Sequence, residues 1–225
     1  MKKYVCIVLS LLICLATLTS CTEEKTYKIN EQTSFVLDGE DVVFTNNGKE
    51  EKKDNIKVKV ELKDGGFFVM ELYPKYAPKT VANFCNLVEK DFYNGLIFHR
   101  VIPGFMAQTG DPKGNGTGGS EETVEGEFKS NGFDKNTLKH LRGTVSMART
   151  NDPNSASSQF FICFGDASYL DGDYAAFGKV VYGMDVVDTI GEATTDEMDK
   201  PVFDIAMKKV SFITDEEYNK IKESK

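Results

Sequence analysis

Apolar and polar residues alternate without a break from Ile56 to Leu62, which is typical of a β-strand with one buried face. The turn-forming residues Asp64-Gly65-Gly66 follow, and residues 67–73 then predict a second, more deeply buried strand. Further short segments rich in β-branched and aromatic residues predict strands at 144–148, 159–164, 176–181 and 205–213.

Two segments have helical periodicity instead. One begins after Pro78, which suits the first turn of a helix, and the other runs from Met184 to Ile190. The polar tail, residues 215–225, allows a further helical turn and carries no evident chemistry. Many short strands with two helices and no regular strand–helix alternation favour an all-β fold whose antiparallel sheet closes on itself. The apolar positions that define the two helices are Val81, Phe84, Cys85, Val88, Met184, Val187 and Ile190.

The stretch 96–109 combines strand-forming residues with polar side chains. Its pattern predicts two strands joined by a tight Pro-Gly turn, with Arg100 on the first strand and Gln108 on the second. Phe105 and Met106 lie between them in the chain. We therefore expect an apolar floor beside a permanent cation.

The N-terminus begins with two lysines and continues as an apolar run from Tyr4 to Leu18, which is typical of an export signal. The run is short for a membrane span, which needs about 20 apolar residues. The residues before and including Cys21, Leu-Thr-Ser-Cys, resemble the bacterial lipobox. We predict a signal peptide over residues 1–20 and lipidation of Cys21, which would hold the protein outside the cytoplasmic membrane of a bacterium. An ordinary cleaved signal peptide is the alternative.

Residues 21–54 are rich in charged and polar residues, and we expect an acidic, flexible tether there. Two apolar islands, 34–37 and 42–45, leave open the alternative of a small hairpin or a segment docked on the domain. The folded domain is expected to span residues 55–214.

The net charge of the chain indicates which classes of binding partner are unsuitable. The chain has 27 Lys and Arg against 35 Asp and Glu, and removal of the leader takes away Lys2 and Lys3, so the mature balance is 25 minus 35, or −10. A body this acidic is poorly suited to following a phosphate backbone, so we expect no nucleic-acid partner. A basic patch for anionic lipid is equally absent from the pattern.

No common catalytic or metal-binding motif is present, and no metal or organic cofactor is expected. The run Gly114–Gly119 fits G-x-G-x-x-G, but acidic residues follow it where a pyrophosphate site needs a helix, so we interpret it as a tight surface loop. The two cysteines of the body, Cys85 and Cys163, are expected to be small buried hydrophobes, and a disulfide between them is left open.

One extended block, FHRVIPGFMAQTGDPKGNGTGG, resembles the signature of the cyclophilins, a family of peptidyl-prolyl cis-trans isomerases. The resemblance continues in family order over about residues 55–214, through GTVSMAR, SSQFFI, YLDGDYAAFGKV and GMDVVDTI. It implies a closed eight-stranded antiparallel β-barrel capped by a helix at each end. It also implies catalysis of rotation about X-Pro peptide bonds.

The resemblance assigns expected roles to individual residues. It implies that Arg100 is the cationic donor to the prolyl nitrogen and that Gln108 holds the substrate backbone. Ala148 would lie where the groove aligns the peptide. Without the resemblance, Arg100 would be interpreted as a surface arginine paired with an acid. The proline pocket would be lined by residues that could otherwise be plain core, namely Phe105, Met106, Phe161 and Leu170.

Two positions depart from many eukaryotic cyclophilins. Tyr169 stands where they have tryptophan, which makes tight cyclosporin binding doubtful. Tyr174 stands where they have a histidine lining the pocket, and this difference is expected to affect rate or residue preference.

We therefore expect a monomeric, lipid-anchored prolyl isomerase that acts on proline-containing polypeptides during the folding of exported proteins, where X-Pro isomerisation can be rate-limiting. Two alternatives remain. One is a binding module that holds proline-containing segments without turnover, and the other is a solute-binding or adhesive lipoprotein.

Overall fold

The computed structural model describes residues 25–38 and 41–224. The expected signal peptide and the lipidation site at Cys21 lie outside the described residues. Within the described ranges, no helix is long and apolar enough to cross a membrane.

The strands of the described chain form two antiparallel sheets. The strands are β1 Thr26–Lys28, β2 Thr33–Asp38, β3 Asp41–Asn46, β4 Lys49–Lys52, β5 Ile56–Leu62, β6 Phe67–Leu72, β7 Arg100–Ile102, β8 Met106–Thr109, β9 Thr144–Met147, β10 Phe160–Cys163, β11 Ala176–Tyr182 and β12 Met207–Ile213. The larger sheet has eight strands in the order β12-β5-β6-β11-β9-β10-β8-β7, and the smaller has the order β1-β2-β3-β4. The α-helices are α1 Pro78–Glu89, α2 Met184–Gly191 and α3 Asp215–Glu223, and short 3-10 turns lie at Lys129–Asn131 and Ser168–Leu170.

The eight-stranded sheet is an open half-barrel, so the prediction of a closed barrel is wrong. Its two edges, β7 and β12, are not joined by a ladder. The chain around β7 instead meets the chain before β12 through separate backbone hydrogen bonds, among them Phe98 N–H to Ile205 O at 2.9 Å and Val101 N–H to Asp199 O at 2.7 Å. The chain takes three residue steps from Phe98 to Val101 but six from Asp199 to Ile205. Because the second segment is longer, the two segments cannot stay in register.

The inner face of the half-barrel and α1 enclose the core, which we call the inner core. The alternation predicted for β5 is confirmed, because every second residue of Ile56–Leu62 is buried. The four apolar positions predicted for the first helix are all buried. Phe84 of α1 packs its ring against those of Tyr93, Phe160 and Phe177, at centroid distances of 4.9, 5.4 and 5.3 Å.

Residues 26–52 form the small sheet, so the prediction of a flexible tether is wrong for this segment. The alternative of a docked hairpin describes it better, because the two apolar islands pair in β2 and β3. Ile29, Phe35 and Val42 are buried as part of the inner core, and the side-chain amide of Asn86 on α1 donates to the carbonyl of Ile29. Pairing aligns the apolar positions of β2 and β3, whereas β4 is charged and fully exposed.

The polar tail forms a nine-residue helix, α3, so the described fold has three helices rather than the two predicted. Thr214 and Glu217 make a reciprocal capping box at its start. Asp215 also accepts a hydrogen bond from Lys57 of β5 at 2.7 Å, which ties the helix to the sheet.

The two body cysteines are free and buried, as predicted for small hydrophobes. Cys85 belongs to the inner core, and Cys163 faces the opposite side of the sheet. Burial raises the pKa of the Cys163 thiol to about 12.

Candidate active site

Strands β7, β8 and β10 direct alternate residues to opposite faces of the half-barrel. Val101, Ala107 and Ile162 are paired across these strands and belong to the inner core. The residues next to them must point to the outer face, because successive side chains of a strand alternate.

Three outward residues form one row across the sheet. Arg100 is the ladder partner of Gln108, and Gln108 is the ladder partner of Phe161. Neighbouring strands lie about 4.8 Å apart, so the backbones of Arg100 and Phe161 are separated by roughly 10 Å with Gln108 between them. The sequence predicted the approach of Arg100 and Gln108, and the register adds Phe161 to the same row.

A second row, two residues further along the strands, is apolar. Ile102, Met106 and Cys163 are partners in the same ladders. Together with Phe161 and neighbouring residues they form a cluster separate from the inner core, which we call the outer apolar cluster. Its members are Met106, Phe161, Cys163 and Ala167, with Ile102, Phe105, Ala148, Leu170 and Tyr174 partly buried around them.

The outer apolar cluster has a buried floor and a partly open rim. Met106 and Phe161 are buried, whereas Phe105 and Leu170 are half-buried. The rings of Phe105 and Phe161 lie 6.5 Å apart between centroids, and the ring of Tyr174 is nearly perpendicular to that of Phe161 at 6.1 Å. The four residues expected to line a proline pocket thus lie together on the outer face.

Tyr169 lies on the rim, in the 3-10 turn that also carries Leu170. Its ring is exposed and lies 5.7 Å from the ring of Phe105. A side chain placed in this way can contact a ligand that extends beyond the cluster.

The guanidinium of Arg100 is the cation beside the outer apolar cluster. Its Nε lies 3.4 Å from Oδ2 of Asp199, and the two side chains are 45% and 44% exposed. This is the surface ion pair expected for Arg100 in the absence of any family resemblance. Among the residues that the structure describes, only Nε has a partner, so the two Nη groups can still donate to a ligand.

Gln108 is oriented by a second glutamine. Its Nε2 donates to Oε1 of Gln159 at 2.8 Å, and Nε2 of Gln159 donates to the carbonyls of Gly116 and Gly118 at 3.1 and 2.7 Å. This chain of amides leaves Oε1 of Gln108 available to accept a hydrogen bond.

The glycine-rich loop that supports Gln159 is closed on an internal acid. Backbone N–H groups of Lys113, Asn115 and Gly116 donate to the carboxylate of Asp111 at 2.6–3.0 Å. Burial would raise the pKa of Asp111, but these hydrogen bonds outweigh it and lower the pKa. The amides that a phosphate would need are already in use, which agrees with the interpretation of a tight surface loop.

His140 lies beneath the floor of the cluster, with its ring nearly parallel to that of Phe161 at a centroid distance of 6.1 Å. Nδ1 lies 3.0 Å from Oδ1 of Asp171, and Nε2 lies 2.9 Å from Oγ of the buried Ser146. Because a carboxylate only accepts, Nδ1 carries the proton and neutral Nε2 accepts from the serine. Burial lowers the pKa of His140 and outweighs the opposing effect of Asp171.

Ala148 and Arg149 form the edge of the site next to Tyr174. The N–H of Ala148 donates to the carbonyl of Gln159 at 3.0 Å. The guanidinium of Arg149 lies 4.6 Å from the Tyr174 ring centroid and donates through Nη2 to the carbonyl of Asp173 at 2.9 Å. Arg149 therefore holds the wall of the cluster in place.

Three residues that contact this site had been assigned no role from the sequence. Gln159 lies within SSQFFI, so a signal for it was present. His140 stood out only as one of two histidines. Asp199 comes from the loop between α2 and β12, outside every family-like block, and nothing in the sequence indicated its contact with Arg100.

This arrangement can bind a small apolar ring beside an oriented cation. The outer apolar cluster could accept the ring, the free donors of Arg100 could favour an atom that gains a lone pair, and Gln108 could hold an extended backbone. Among the described residues around this cluster, no nucleophile or general base is aligned for covalent chemistry, since the histidine in the network, His140, lies buried under Phe161.

Comparison with known proteins agrees with this chemistry. Residues 57–212 match the family model "Cyclophilin type peptidyl-prolyl cis-trans isomerase/CLD". A "Probable peptidyl-prolyl cis-trans isomerase" of Brucella suis is 49% identical over 150 residues, covering 61% of this chain and 72% of the relative. "Peptidyl-prolyl cis-trans isomerase-like 1" of Emericella nidulans is 43% identical over 144 residues, covering 62% and 85%.

Solved structures show the same fold. A cyclophilin-type peptidyl-prolyl cis-trans isomerase of Cryptosporidium parvum matches with a TM-score of 0.65 and 31% identity, over 72% of this chain and 99% of that one. Its structure in the presence of the dipeptide Ala-Pro matches with a TM-score of 0.64 and 32% identity, over 71% and 99%. The fold is therefore cyclophilin-like, mostly β with three helices in the described residues.

Proposed function

Because the chain belongs to the cyclophilin-type peptidyl-prolyl cis-trans isomerase family and catalyses rotation about X-Pro bonds, we propose that Arg100 stabilises the twisted bond while the outer apolar cluster holds the prolyl ring. The observation that supports this assignment is the outward row of Arg100, Gln108 and Phe161 beside that cluster.

The mechanism follows from the electronic structure of the amide. The barrier of about 18–20 kcal/mol is the loss of resonance as the C–N bond twists, and the nitrogen then regains its lone pair. An apolar pocket disfavours the more polar planar amide, and an N–H of Arg100 donates to the nitrogen only in the twisted form. Binding the twisted form better than the planar form lowers the barrier.

Gln108 fixes the direction of the peptide. Its Oε1 accepts from a backbone N–H of the substrate while Gln159 holds its Nε2. This contact positions the X-Pro bond below Arg100 without taking part in the bond rotation.

The substrate is a proline-containing polypeptide. The structural neighbour studied in the presence of Ala-Pro supports this substrate class. The pocket is tested with two peptides that differ only in having proline or N-methylalanine at the rotating bond. Loss of one ring methylene, at about 0.8 kcal/mol, should lower kcat/KM at least about fourfold for N-methylalanine. Equal values for the two peptides would contradict a pocket that fits the ring.

We also propose that Cys21 carries a lipid and that the clients are exported polypeptides outside the cytoplasmic membrane. The leader pattern supports this proposal. Only residues 22–25 separate Cys21 from β1, and these five residue steps reach at most about 18 Å, so the domain would lie close to the bilayer. Cys21→Ala should move the protein from the membrane fraction to the soluble fraction, and unchanged fractionation would contradict lipidation.

Two further expectations belong to this proposal. The protein acts as a monomer, and cyclosporin binds weakly because the exposed rim position is Tyr169 rather than tryptophan. Isothermal titration of the wild type and Tyr169→Trp with cyclosporin tests the second expectation, and tight binding by the wild type would contradict it.

A further inference from the structure

The loop between α2 and β12 exposes an unusual number of apolar side chains. Met198, Val202 and Phe203 are 80%, 57% and 85% exposed. They account for three of the five exposed large hydrophobic side chains in the part of the chain that the structure describes. Single exposed apolar residues are common on proteins, but three within six residues of one loop concentrate exposed apolar surface, which is a feature of interaction surfaces. We call these three residues the apolar ridge.

The apolar ridge is held in place by the backbone around it. Asp196 N–H donates to Lys200 O at 2.8 Å, and Val202 N–H donates to Thr194 O at 2.9 Å. The side chain of Asp196 also accepts from the N–H of Met198 at 2.8 Å. The exposure of the ridge is therefore built into a hydrogen-bonded loop.

Two residues of the ridge, Val202 and Phe203, lie in the segment whose surplus length leaves the half-barrel open. The chain from Asp199 to Ile205 takes six residue steps alongside the three from Phe98 to Val101. Three extended residues span about 10 Å, so the surplus residues must arch away from the sheet. Val202 and Phe203 lie within this arch and project into solvent.

The arch adjoins the candidate active site directly. Asp199, which follows Met198, contacts Arg100 through its carboxylate and Val101 through its carbonyl. The row across the sheet places Arg100 between the outer apolar cluster on one side and this loop on the other. Phe203 is four residues from Asp199, at most about 14 Å of extended chain, and one strand spacing adds about 5 Å. A bound peptide covers that distance within about six residues.

We propose that the apolar ridge binds an apolar side chain of the same unfolded polypeptide whose proline lies in the outer apolar cluster, within about six residues of that proline. The site would therefore favour unfolded clients with a hydrophobic residue near the proline. This inference rests on the proposed function. We assign the ridge to the bound polypeptide because the loop that carries the ridge directly adjoins the site at Arg100.

The test uses peptides with the same Ala-Ala-Pro-Ala centre: the blocked tetrapeptide itself, a longer peptide flanked on both sides by serines, and a phenylalanine series. In the series, a single phenylalanine replaces one flanking serine at a time, within six residues of proline. Exchange NMR gives kcat and KM, and titration of fluorophore-labelled peptide gives Kd. At one or more positions, phenylalanine should lower KM and Kd of the wild type about three- to tenfold.

The combined variant Met198→Ser, Val202→Ser, Phe203→Ser should lose this gain and keep kcat/KM on the blocked tetrapeptide within about twofold of the wild type. The matched control is Leu141→Ser, which alters an apolar side chain that is 47% exposed outside the loop and should retain the gain. Circular dichroism checks that each variant is folded.

A gain that persists in the combined variant, or a wild type without any preference for phenylalanine, would overturn the inference. A wild-type dimer that becomes monomeric in the combined variant, measured by sedimentation velocity, would also overturn it by making a second copy the occupant. Failure of the wild type to rotate the blocked tetrapeptide would refute the proposed function, and the labelled-peptide Kd would still report separately on the ridge.

Discussion

Asp199 is held against Arg100 by its own backbone as well as by its charge. Its φ of 63° lies in the left-handed region, which aspartate, asparagine and glycine tolerate better than most residues. Its carbonyl accepts from Val101 N–H at 2.7 Å, on the residue next to Arg100. The carboxylate is thereby fixed where it can orient the guanidinium, so we regard Asp199 as a positioning residue.

Removing this carboxylate should weaken catalysis modestly. Asp199→Gly keeps the left-handed backbone without strain, and Asp199→Asn keeps both that backbone and an oxygen acceptor. An exposed ion pair is worth about 1 kcal/mol or less, so kcat/KM should fall by up to about fivefold in the glycine variant and by less than about twofold in the asparagine variant. A loss above a hundredfold in the glycine variant, by exchange NMR, would mean that the carboxylate acts in the chemical step.

Gln108→Ala should act on substrate binding. In the proposed mechanism its Oε1 holds the peptide backbone but gains no interaction as the bond twists, so KM should rise about three- to tenfold with little change in kcat. Gln159→Ala should have a smaller effect of the same kind, because Gln159 acts by holding Nε2 of Gln108. A fall in kcat with unchanged KM would instead place Gln108 in the chemical step.

The neutral His140 should make the protein less stable in mild acid. Burial lowers its pKa below the ordinary value of 6.5, so below that pH the unfolded chain binds a proton that the folded chain does not. The free energy of unfolding should therefore be fully retained above about pH 6.5 and fall as the pH drops below it. Urea unfolding at pH 8, 7, 6 and 5 measures this slope.

A matched pair of histidine variants shows which residue causes the fall in the free energy of unfolding. The chain has only two histidines, and burial lowers the pKa of His99 as well. His140→Gln and His99→Gln should each remove part of the loss between pH 7 and 5, and the double variant should remove the histidine contribution. Wild-type stability that increases as the pH falls from 7 to 5.5 would contradict the assignment.

The small N-terminal sheet should resist proteolysis because its apolar face is part of the inner core. Phe35 is fully buried, and its ring stacks on Tyr27 at a centroid distance of 5.2 Å. Phe35→Ala should destabilise this sheet by about 3–5 kcal/mol and expose residues 26–52 to limited proteolysis, with isomerase activity retained. The control is Phe203→Ala, an exposed phenylalanine that should leave the cleavage rate unchanged. Equally rapid cleavage of the wild type would contradict docking of the sheet.

The sequence was most informative where periodicity and local motifs determine structure. The alternation in β5 and the helical spacing in α1 predicted their elements and buried faces, because one buried side leaves a regular pattern. The family-like blocks contain all the residues for which the sequence predicted a role in the site, whereas His140, Cys163, Ala167 and Asp199 lie outside them. The capping box of α3, from Thr214 to Glu217, was a readable signal for a helix that the prediction reduced to a turn.

Other features depend on contacts between distant segments. The edges of the half-barrel stay apart because the arch before β12 has surplus residues. This mismatch in length between two distant segments cannot be recognised from a local sequence pattern. The small sheet was predicted only as an alternative because charged residues dominate the composition of the segment. Three buried residues, Ile29, Phe35 and Val42, nevertheless join it to the core. The burial of His140 under Phe161 required the β9–β10 register, which places Ser146 opposite Phe161.

Arg100 is the centre of the proposed mechanism, and Arg142 provides a matched control. Both are exposed arginines paired with an aspartate, and Arg142 donates to Asp188 at 2.7 and 2.6 Å. Replacing either with alanine should change stability by no more than about 1 kcal/mol. Arg100 alone should matter for the twisted bond.

The most direct test is exchange NMR of a blocked X-Pro tetrapeptide with the wild type, Arg100→Ala and Arg142→Ala. Loss of the donor to the developing lone pair should reduce kcat/KM about 10²- to 10³-fold in Arg100→Ala, while Arg142→Ala stays within about twofold of the wild type. An Arg100→Ala variant that is folded and rotates the X-Pro bond as fast as the wild type would contradict the account.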